Sequence, residues 1–272
     1  MWPITKYNVR PNQMTTLADQ RRYQIMALLE SQRRVSTRDL SAQFGVADAR
    51  IRRDLIILEE LGLLKRVPDG AVAIPHYLQG KEHTEKMNLN RERKERIGQV
   101  AASLIQAGES VILDSGTTPL QVARHICSDL RLSGDLTIYT ASLPIFHEIG
   151  SCPGIRIMLL GGIYMPEHEV VIGPQTIKNL QDVRADKVFL GADGITLFHG
   201  VTTAGVLEAD VNQYMLQASN EVIVVADSSK IGIIGLVSLV QLNRVNKLVT
   251  DRKAPPEFVE AVRDLGVEVI LA

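Results

Sequence analysis

Short apolar runs that alternate with longer amphipathic stretches are the feature that most constrains the fold of this 272-residue chain. Strands that are apolar on both faces and separated by helices are typical of a mostly parallel sheet covered on both sides. Amphipathic stretches such as Pro119 to Ile126 and Pro256 to Leu265 predict the covering helices. The sequence therefore predicts an α/β domain whose strands are Val111–Leu113, Leu136–Tyr139, Ile155–Leu160, Val188–Leu190, Val222–Ala226, Leu248–Val249 and Val267–Leu271.

The first 75 residues have a different pattern, in which helices predominate. A first helix is predicted from Leu17 to Glu30. Ser36, with Asp39 three residues later, resembles a capping box that begins a short second helix. Gly45 then supplies a turn, and a third helix is predicted from Asp48 to Leu61.

The third helix has one apolar face and one basic face. The apolar face is formed by Ile51, Leu55 and Leu58, and this spacing places Arg50, Arg52 and Arg53 towards the other side. Arginine binds phosphate and can pair with guanine through two hydrogen bonds. A hairpin around Pro68-Asp69-Gly70 follows, and helix, turn, helix and wing together are typical of a domain that enters a DNA groove. The predicted DNA-binding residues are Thr37, Asp48, Arg50, Arg52, Arg53, Lys65 and Arg66. A solvated helix face is the alternative interpretation.

The charge of the chain is unevenly distributed, although the net charge is only −1. Residues 1–66 carry 12 Lys and Arg against 7 Asp and Glu, which gives +5. Residues 67–272 carry 18 against 24, which gives −6. A cationic first part on an anionic body predicts that only the first part binds a polyanion. Chance asymmetry over a short segment is the alternative.

The loop Asp114-Ser115-Gly116-Thr117-Thr118 follows a predicted strand and opens a helix. Small residues at a helix N-terminus present backbone N–H groups and hydroxyls to an anion, so we expect a phosphate here. The loop lacks the Gly-Lys-Ser/Thr of a nucleotide P-loop, which argues against ATP hydrolysis. An ordinary strand-to-helix turn is the alternative.

Further polar loops follow other predicted strands. Ligands in open α/β sheets bind beyond the carboxyl ends of the strands. We expect the carboxylates of Asp114 and Asp193 to accept hydrogen bonds from sugar hydroxyls. Lys230 could bring a cation to the phosphate. The other candidate ligand-binding residues in these loops are Thr140, Ser142, Gly161, Gly162 and Gly194.

The first 75 positions resemble the amino-terminal domain of the DeoR family of bacterial transcription regulators. The shared motifs are Val35-Ser36-Thr37-Arg38-Asp39-Leu40, Phe44-Gly45-Val46, Ile51-Arg52-Arg53-Asp54-Leu55 and Gly62-Leu63-Leu64-Lys65-Arg66. The remainder resembles the same family over essentially its full length. It shares Leu113-Asp114-Ser115-Gly116-Thr117-Thr118, Gly161-Gly162, Phe189-Leu190-Gly191 with Gly194, and Asp227-Ser228-Ser229-Lys230.

The resemblance implies a function and a sensor fold. The implied fold is a winged helix-turn-helix domain followed by a larger α/β sensor domain similar to ribose-5-phosphate isomerase. The Ser-Gly-Thr-Thr loop and Lys230 would hold the phosphate of a phosphorylated sugar, and Lys94 is a weaker candidate. We therefore expect a regulator, usually a repressor of sugar utilisation, that a sugar phosphate releases from its DNA operator. No cofactor is expected.

The sequence offers two alternative functions. A sugar-phosphate isomerase needs a positioned base and usually a second carboxylate, but Ile195 and Thr196 follow Asp193-Gly194 and no second carboxylate is close in sequence. A metal-dependent sensor is suggested by His147-Glu148 and His168-Glu169, but the six histidines show no ligand spacing. The sequence therefore favours a regulator that is neither an enzyme nor a metal protein.

The organisation predicted for the chain has four parts. These are a tail at residues 1–16, a DNA-binding domain at 17–75, a linker at 76–90 and a sensor domain at 91–272. Two recognition helices on a pseudo-palindrome multiply affinity, so a homodimer or homotetramer is expected. Two cysteines, Cys127 and Cys152, argue against a disulfide framework, and a cytoplasmic location is expected. No apolar run approaches the length that spans a membrane.

Overall fold

A computed structural model describes residues 17–32, 34–60, 64–73, 87–129, 136–166 and 168–272. The chain divides into two compact units, with the boundary between residues 79 and 80. The predicted tail and residues 76–86 of the predicted linker lie outside the described residues.

The first unit combines helices with a small antiparallel sheet. Its elements are α1 (Leu17–Gln32), β1 (Arg34–Ser36), α2 (Thr37–Phe44), α3 (Asp48–Glu60), β2 (Leu64–Val67) and β3 (Gly70–Ala73). The strand order is β1-β3-β2, and Pro68 and Asp69 form the turn between β2 and β3. The predicted helix, turn, helix and wing are confirmed.

Strand β1 was not predicted, and the reason lies at Gly70. Ser36 pairs with Gly70 across the β1–β3 ladder. A Cβ atom at position 70 would lie 2.0 Å from the carbonyl oxygen of Val35. The glycine at position 70 therefore lets β1 pair closely with β3. The three residues of β1 alone do not reveal this pairing in the sequence.

The second unit contains the sheet that the apolar runs predicted. Its elements up to the seventh helix are α4 (Arg91–Ala102), β4 (Ser110–Leu113), α5 (Thr117–Asp129), β5 (Leu136–Thr140), α6 (Leu143–Ile149), β6 (Ile155–Leu159), β7 (Ile163–Met165), β8 (Val170–Ile172) and α7 (Pro174–Gln181). The remaining elements are β9 (Ala185–Leu190), β10 (Gly194–Thr196), β11 (Gly200–Thr203), α8 (Val206–Gln217), β12 (Ser219–Val225), β13 (Val237–Val240), β14 (Lys247–Thr250), α9 (Pro256–Asp264) and β15 (Glu268–Leu271), with short 3₁₀ turns at Ser228–Lys230 and Leu242–Arg244.

All seven predicted strands belong to one parallel sheet with the order β15-β14-β12-β9-β4-β5-β6. Within this sheet, the chain enters at β4 and continues to β5 and β6 on one side of it. The chain then returns to β9 on the other side of β4. The order of strands therefore reverses between β4 and β9. Adjacent loops separate at such a switch point and leave a crevice beyond the carboxyl ends of the strands.

Both faces of this sheet are covered by helices. Val111 and Leu113 of β4 pack into one apolar core with Ile97 of α4 and Val122 of α5. Ile112, between them, packs into the other core. This alternation confirms the predicted layer arrangement, because adjacent strand side chains point to opposite faces of a sheet.

Helices α4 and α5 pack closely where a glycine removes the side chain. A Cβ atom at Gly98 would lie 2.5 Å from the backbone carbonyl carbon of Gln121. Gly98 and Ile97 of α4 are both buried. The two helices therefore touch through backbone rather than through side chains alone.

Two smaller antiparallel groups were not predicted. Strands β7 and β8 pair with each other, and β10, β11 and β13 form a separate sheet. Strand β11 reads Gly-Val-Thr-Thr, and its neighbour β13 lies more than thirty residues later in sequence. Strand β11 leaves little local apolar signal because half of it is threonine, and the apolar runs of β7 and β8 are only three residues long.

Candidate functional site

A cap and a left-handed glycine set the direction of α3. Ser36 Oγ accepts a hydrogen bond from the backbone N–H of Asp39 at 3.0 Å, which confirms the predicted cap of α2. Gly45 follows α2 with φ of 61° and ψ of 35°, a conformation that glycine adopts without strain. The carbonyl of Ala47 accepts the first bond of the next helix, from Arg50 N at 2.8 Å. The turn thus ends at Ala47, and Asp48 opens α3.

Helix α3 has the two faces that the sequence predicted. Ile51, Leu55 and Leu58 are buried in the first unit. The opposite side is exposed and carries Asp48, Arg50, Arg52 and Arg53. A negative residue at the first position of the helix also interacts favourably with the helix dipole.

Asp54 was missed as a residue with a role of its own. It is 2% exposed, although it directly follows two exposed arginines. Its two carboxylate oxygens accept from Arg21 Nε at 2.6 Å and Arg22 Nε at 2.8 Å. This buried ion pair joins α1 to α3. A carboxylate on the apolar side of an amphipathic helix was the available signal.

The remaining predicted DNA-binding residues, two on the hairpin and one on α2, differ in exposure. Lys65 and Arg66 are exposed on β2. Arg66 Nε donates to Glu59 Oε2 at 2.6 Å, and this bond lowers the pKa of Glu59. Thr37 is only 7% exposed, and its backbone N–H donates to Asp69 O at 2.8 Å. The side chain of Thr37 is thus oriented into the unit, unlike the exposed arginines.

Asp114 lies where the strand order reverses, at the place where this topology predicts a crevice, and we call this place the crevice. It follows β4, is 4% exposed, and its carboxylate reaches across to the loop after β9. Oδ1 accepts from Ser115 N at 2.7 Å, and Oδ2 accepts from Gly191 N at 3.0 Å. Burial raises the pKa of Asp114 from its ordinary value of 3.8 to about 7, against the effect of these two bonds. The negative charges of Glu208 and Asp193 raise it further.

The predicted anion loop forms the N-terminus of α5. Gly116 has φ of 110°, a region that favours glycine, and its carbonyl accepts from Leu120 N at 3.1 Å. Thr117 and Thr118 are the first two residues of α5, and both are largely buried. First-turn amides have no acceptor within their own helix, and they lie at the positive end of its dipole.

Lys230 and Asp193 meet on the β9 side of the crevice. Lys230 Nζ lies 3.9 Å from Asp193 Oδ1. Asp193 Oδ2 accepts from Thr203 Oγ1 at 3.2 Å and from Ala204 N at 3.0 Å. Two of the predicted ligand-binding residues are thus in contact, and neither side chain is fully buried.

Sequence reasoning missed Glu208 and Asn212, and it considered His168 only as a possible metal ligand. Glu208 Oε1 is in contact with His168 Nδ1, and its charge acts on Asp114. In the orientation that satisfies its amide, Asn212 donates to Asp114 Oδ1 at 3.3 Å and to Glu208 O at 3.1 Å. Glu208 and Asn212 lie one turn apart on α8, so one face of that helix meets the crevice. No motif marks this face in the sequence.

The fold brings together carboxylates that are far apart in sequence. Asp193 and Glu208 both lie close enough to Asp114 to raise its pKa. Sequence reasoning did not predict this cluster, because it considered only carboxylates near Asp193 along the chain.

The other predicted ligand-binding residues have structural contacts. Thr140 Oγ1 accepts from Ser142 N at 3.1 Å, and Ser142 Oγ caps α6 through Ile145 N at 3.4 Å. A Cβ atom at Gly162 would lie 2.2 Å from Thr176 Oγ1, and one at Gly194 would lie 2.3 Å from Ile233 O.

Two predicted positions complete the set. Gly161 is exposed, and its carbonyl accepts from Thr176 Oγ1 at 3.0 Å. Lys94 is buried on α4. Ligand binding by all of these residues stays a prediction.

One cysteine differs from expectation. Cys152 is disulfide-bonded, which the count of two cysteines did not predict, although one bond is not the disulfide framework that the count argued against. The prediction counted cysteines, whereas a disulfide depends on the distance between two Cα atoms in the fold. Within the described residues, no group of three His, Cys, Asp or Glu side chains could hold a metal ion. The described helices also include none long and apolar enough to cross a membrane.

Known families match both units of the chain. Residues 21–76 match the DeoR-like helix-turn-helix domain, and residues 89–252 match the DeoR C-terminal sensor domain. A DNA-binding domain followed by a sensor domain defines a transcription regulator. The chain belongs to the DeoR family.

Curated relatives agree with this assignment. The chain is 34% identical over 258 residues to the putative aga operon transcriptional repressor of Escherichia coli O157:H7, with 94% of each chain covered. It is 31% identical over 253 residues to the transcriptional repressor GlcR of Bacillus subtilis, covering 93% of this chain and 96% of the relative. Such relatives are named as repressors and regulators, and the chain is accordingly a regulator and not an enzyme.

Solved structures give a more distant likeness. Ribose 5-phosphate isomerase A from Methanocaldococcus jannaschii matches with a TM-score of 0.40 and 17% identity. The match covers 52% of this chain and 55% of that chain. A likeness at this level carries no argument about function.

Proposed function

We propose that this chain represses a sugar-utilisation operon in the cytoplasm and leaves its operator when a phosphorylated sugar binds in the second unit. One observation carries the proposal. The loop after β4, the loop after β9 and Lys230 converge at the point where the strand order reverses. The names of the relatives, a putative aga operon transcriptional repressor and the repressor GlcR among them, support repression of an operon.

The phosphate would bind at the N-terminus of α5. The first-turn amides of Gly116, Thr117 and Thr118 and the hydroxyls of the two threonines are the donors. Lys230 would supply the cation, because its present partner Asp193 lies 3.9 Å away, at the limit of an ion pair. A doubly charged phosphate would compete with that carboxylate for the ammonium group.

Carboxylates and amides would form hydrogen bonds with the hydroxyls of the sugar. Asp114 can donate as well as accept a hydrogen bond near neutral pH, because its pKa is raised to about 7. Asp193 and Glu208 lie close enough to act on it electrostatically. Neighbouring hydroxyls of a sugar need donors and acceptors in alternation, and this set provides both.

The DNA would be bound by α3 and the hairpin. Arg50, Arg52 and Arg53 are exposed on one side of α3, and Lys65 is exposed on β2. Arginine and lysine can bind the phosphates, and arginine can also read guanine in the major groove. The buried contacts of Asp54 with α1 support this role, because they fix the helix that carries the three arginines.

A homodimer or homotetramer would hold two such helices on one operator. Strand β6 forms an edge of the large sheet, and apolar side chains on and beside it are exposed: Met158, Leu159, Ile163 and Tyr164. An apolar patch at a sheet edge favours association with another chain.

A thermal-shift screen of sugar phosphates and their unphosphorylated parents tests the effector. At a hundred times its dissociation constant, the correct phosphorylated sugar should add about 2.7 kcal/mol to the free energy of unfolding. The Lys230→Ala variant should lose most of this gain. Lys178→Ala, at an exposed lysine of α7, should keep it. If no phosphorylated sugar stabilises the wild-type protein, the proposed effector class is wrong.

A further inference from the structure

The loop at residues 227–230 has contacts in two directions. At its end, Lys230 lies against Asp193 in the crevice. At its beginning, Asp227, Ser228 and Ser229 face the first turn of α4. One loop of four residues therefore joins the crevice to the first helix of the second unit.

Asn90 makes the main contact on the α4 side. Its Nδ2 donates to Asp227 Oδ1 at 2.9 Å and to Ser229 Oγ at 3.3 Å. Its carbonyl accepts from Arg93 N at 3.0 Å and Lys94 N at 3.1 Å, so Asn90 is the residue from which α4 begins. Its side chain does not cap that helix but is directed to the loop. Asn90 thus binds the loop with its side chain and α4 with its backbone.

The backbone of Asn90 is held in a conformation that few residues adopt. Its φ of 54° and ψ of 30° lie in the left-handed region, where asparagine is tolerated better than most residues. Strain of this kind persists only when the surroundings hold it in place. The bonds to Asp227 and Ser229 are the contacts that do so.

Asp251 holds the loop in place through hydrogen bonds to Ser228. Asp251 Oδ2 accepts from Ser228 N at 2.6 Å, and Oδ1 accepts from Ser228 Oγ at 3.0 Å. Burial opposes the charge of Asp251, but these bonds, one from Lys253 N and the charge of Arg93 lower its pKa overall. Arg93 also reaches Ser228 Oγ at 3.4 Å. A displacement at Lys230 would be passed to Asn90, because Lys230 N donates to Asp227 O at 3.0 Å and Asp227 in turn accepts from Asn90.

We propose that Asn90 is the positioning residue through which the crevice controls the chain segment that precedes α4. That segment leads in sequence to the DNA-binding unit. The inference rests on the proposed function, in which a phosphate competes with Asp193 for Lys230. The loop at residues 227–230 then has one position when the crevice is occupied and another when it is empty. Because Asn90 is bonded to this loop and to the first turn of α4, the conformation at the start of α4 changes with it. A ligand shifts an equilibrium only through such a difference between two states.

The test measures amide hydrogen exchange of the full chain with and without millimolar inorganic phosphate. Asn90→Gly removes the side-chain bonds and keeps the left-handed backbone free of strain. We expect it to speed exchange of amides 87–93 about tenfold without phosphate. Phosphate should slow this exchange in the wild type and not in Asn90→Gly, while the phosphate-induced rise in Tm stays the same in both. Arg96→Ala, at an exposed residue of the same helix, should behave as the wild type.

A reciprocal exchange separates positioning from a general structural role. Asn90→Asp places two carboxylates together and should abolish the phosphate effect on residues 87–93. Adding Asp227→Asn restores one donor and one acceptor and should restore that effect. The inference is wrong if Asn90→Gly keeps the wild-type response, or if the double variant fails to recover it.

Failure of the proposed function would look different. If phosphate leaves the Tm of the wild type unchanged, the phosphate site is wrong, and so is the coupling to it. If phosphate raises the Tm but the exchange of residues 87–93 never responds, the site stands and only the role of Asn90 is wrong.

Discussion

At the scale of single residues, burial decides what the charged groups of this protein do. Asp54 and Asp114 are both nearly inaccessible to water. Asp54 has two arginine partners, whereas Asp114 is bonded to neutral N–H groups and has carboxylates nearby. The first therefore serves as a structural ion pair, and the second holds its proton to unusually high pH.

We predict that Asp114 makes stability depend on pH. Its pKa is about 7 in the folded chain against an ordinary value of 3.8, so folding takes up a proton between these values. The free energy of unfolding should fall as pH rises from about 4 to 7, by up to about 4 kcal/mol. Urea titrations across this range should give a smaller fall for Asp114→Asn, whatever its absolute stability. Asp264→Asn, at an exposed carboxylate, should follow the wild type. Equal slopes for all three proteins would contradict the raised pKa.

We predict that Asp54→Ala destabilises the first unit strongly. The change leaves Arg21 and Arg22 without the carboxylate that both contact, and breaking a buried pair costs about 3–5 kcal/mol. Denaturant titration followed by circular dichroism measures this loss. Asp48→Ala, an exposed carboxylate on the same helix, should cost about 1 kcal/mol or less. Similar losses for the two variants would show that the arginines find other partners.

At the scale of elements, local pattern predicted the parts of the fold that are regular along the chain. The seven parallel strands were found because each contains a short apolar run, and α3 was found because Ile51, Leu55 and Leu58 recur on one side. Strands β1, β11 and β13 were not found, since each depends on a partner that is separated from it in sequence.

The same limit applies to the site. The loops after β4 and β9 were predicted because position after a strand is a sequence property. The contacts of Glu208 with His168, and of Asn90 with Asp227, arise from tertiary packing across many residues. Neither pair has a spacing or a composition that a single sequence could reveal.

Helix α3 gives a prediction at this scale. Replacing Arg53 by alanine should weaken binding to an operator selected from a random DNA library, and it should make the salt dependence shallower by about one unit of slope. Fluorescence anisotropy at several salt concentrations measures both quantities. Arg252→Ala, at an exposed arginine of the second unit, is the matched control. An unchanged slope would remove Arg53 from the proposed interface.

At the scale of the whole molecule, the proposed function requires that one unit alters the behaviour of the other. The two units are compact, and the chain connects them through the residues before α4. Because the first 66 residues are cationic and the rest is anionic, we expect DNA to bind to the first unit alone.

We predict that Lys230→Ala separates the two activities. DNA binding without ligand should stay at the wild-type level, because Lys230 lies in the second unit. Release of DNA by the sugar phosphate found in the thermal-shift screen should be lost, since the proposed cation is missing. Anisotropy of a labelled operator during titration with that sugar phosphate gives both results. A normal response would place the phosphate elsewhere, and Lys178→Ala should respond normally.

The backbone contact between α4 and α5 at Gly98 has a mechanical consequence. A side chain at this position would collide with Gln121 and force the two helices apart. The anion loop leads into α5, and Asn90 stands at the start of α4. A bulky residue at position 98 should therefore disturb the proposed phosphate site and the start of α4 together.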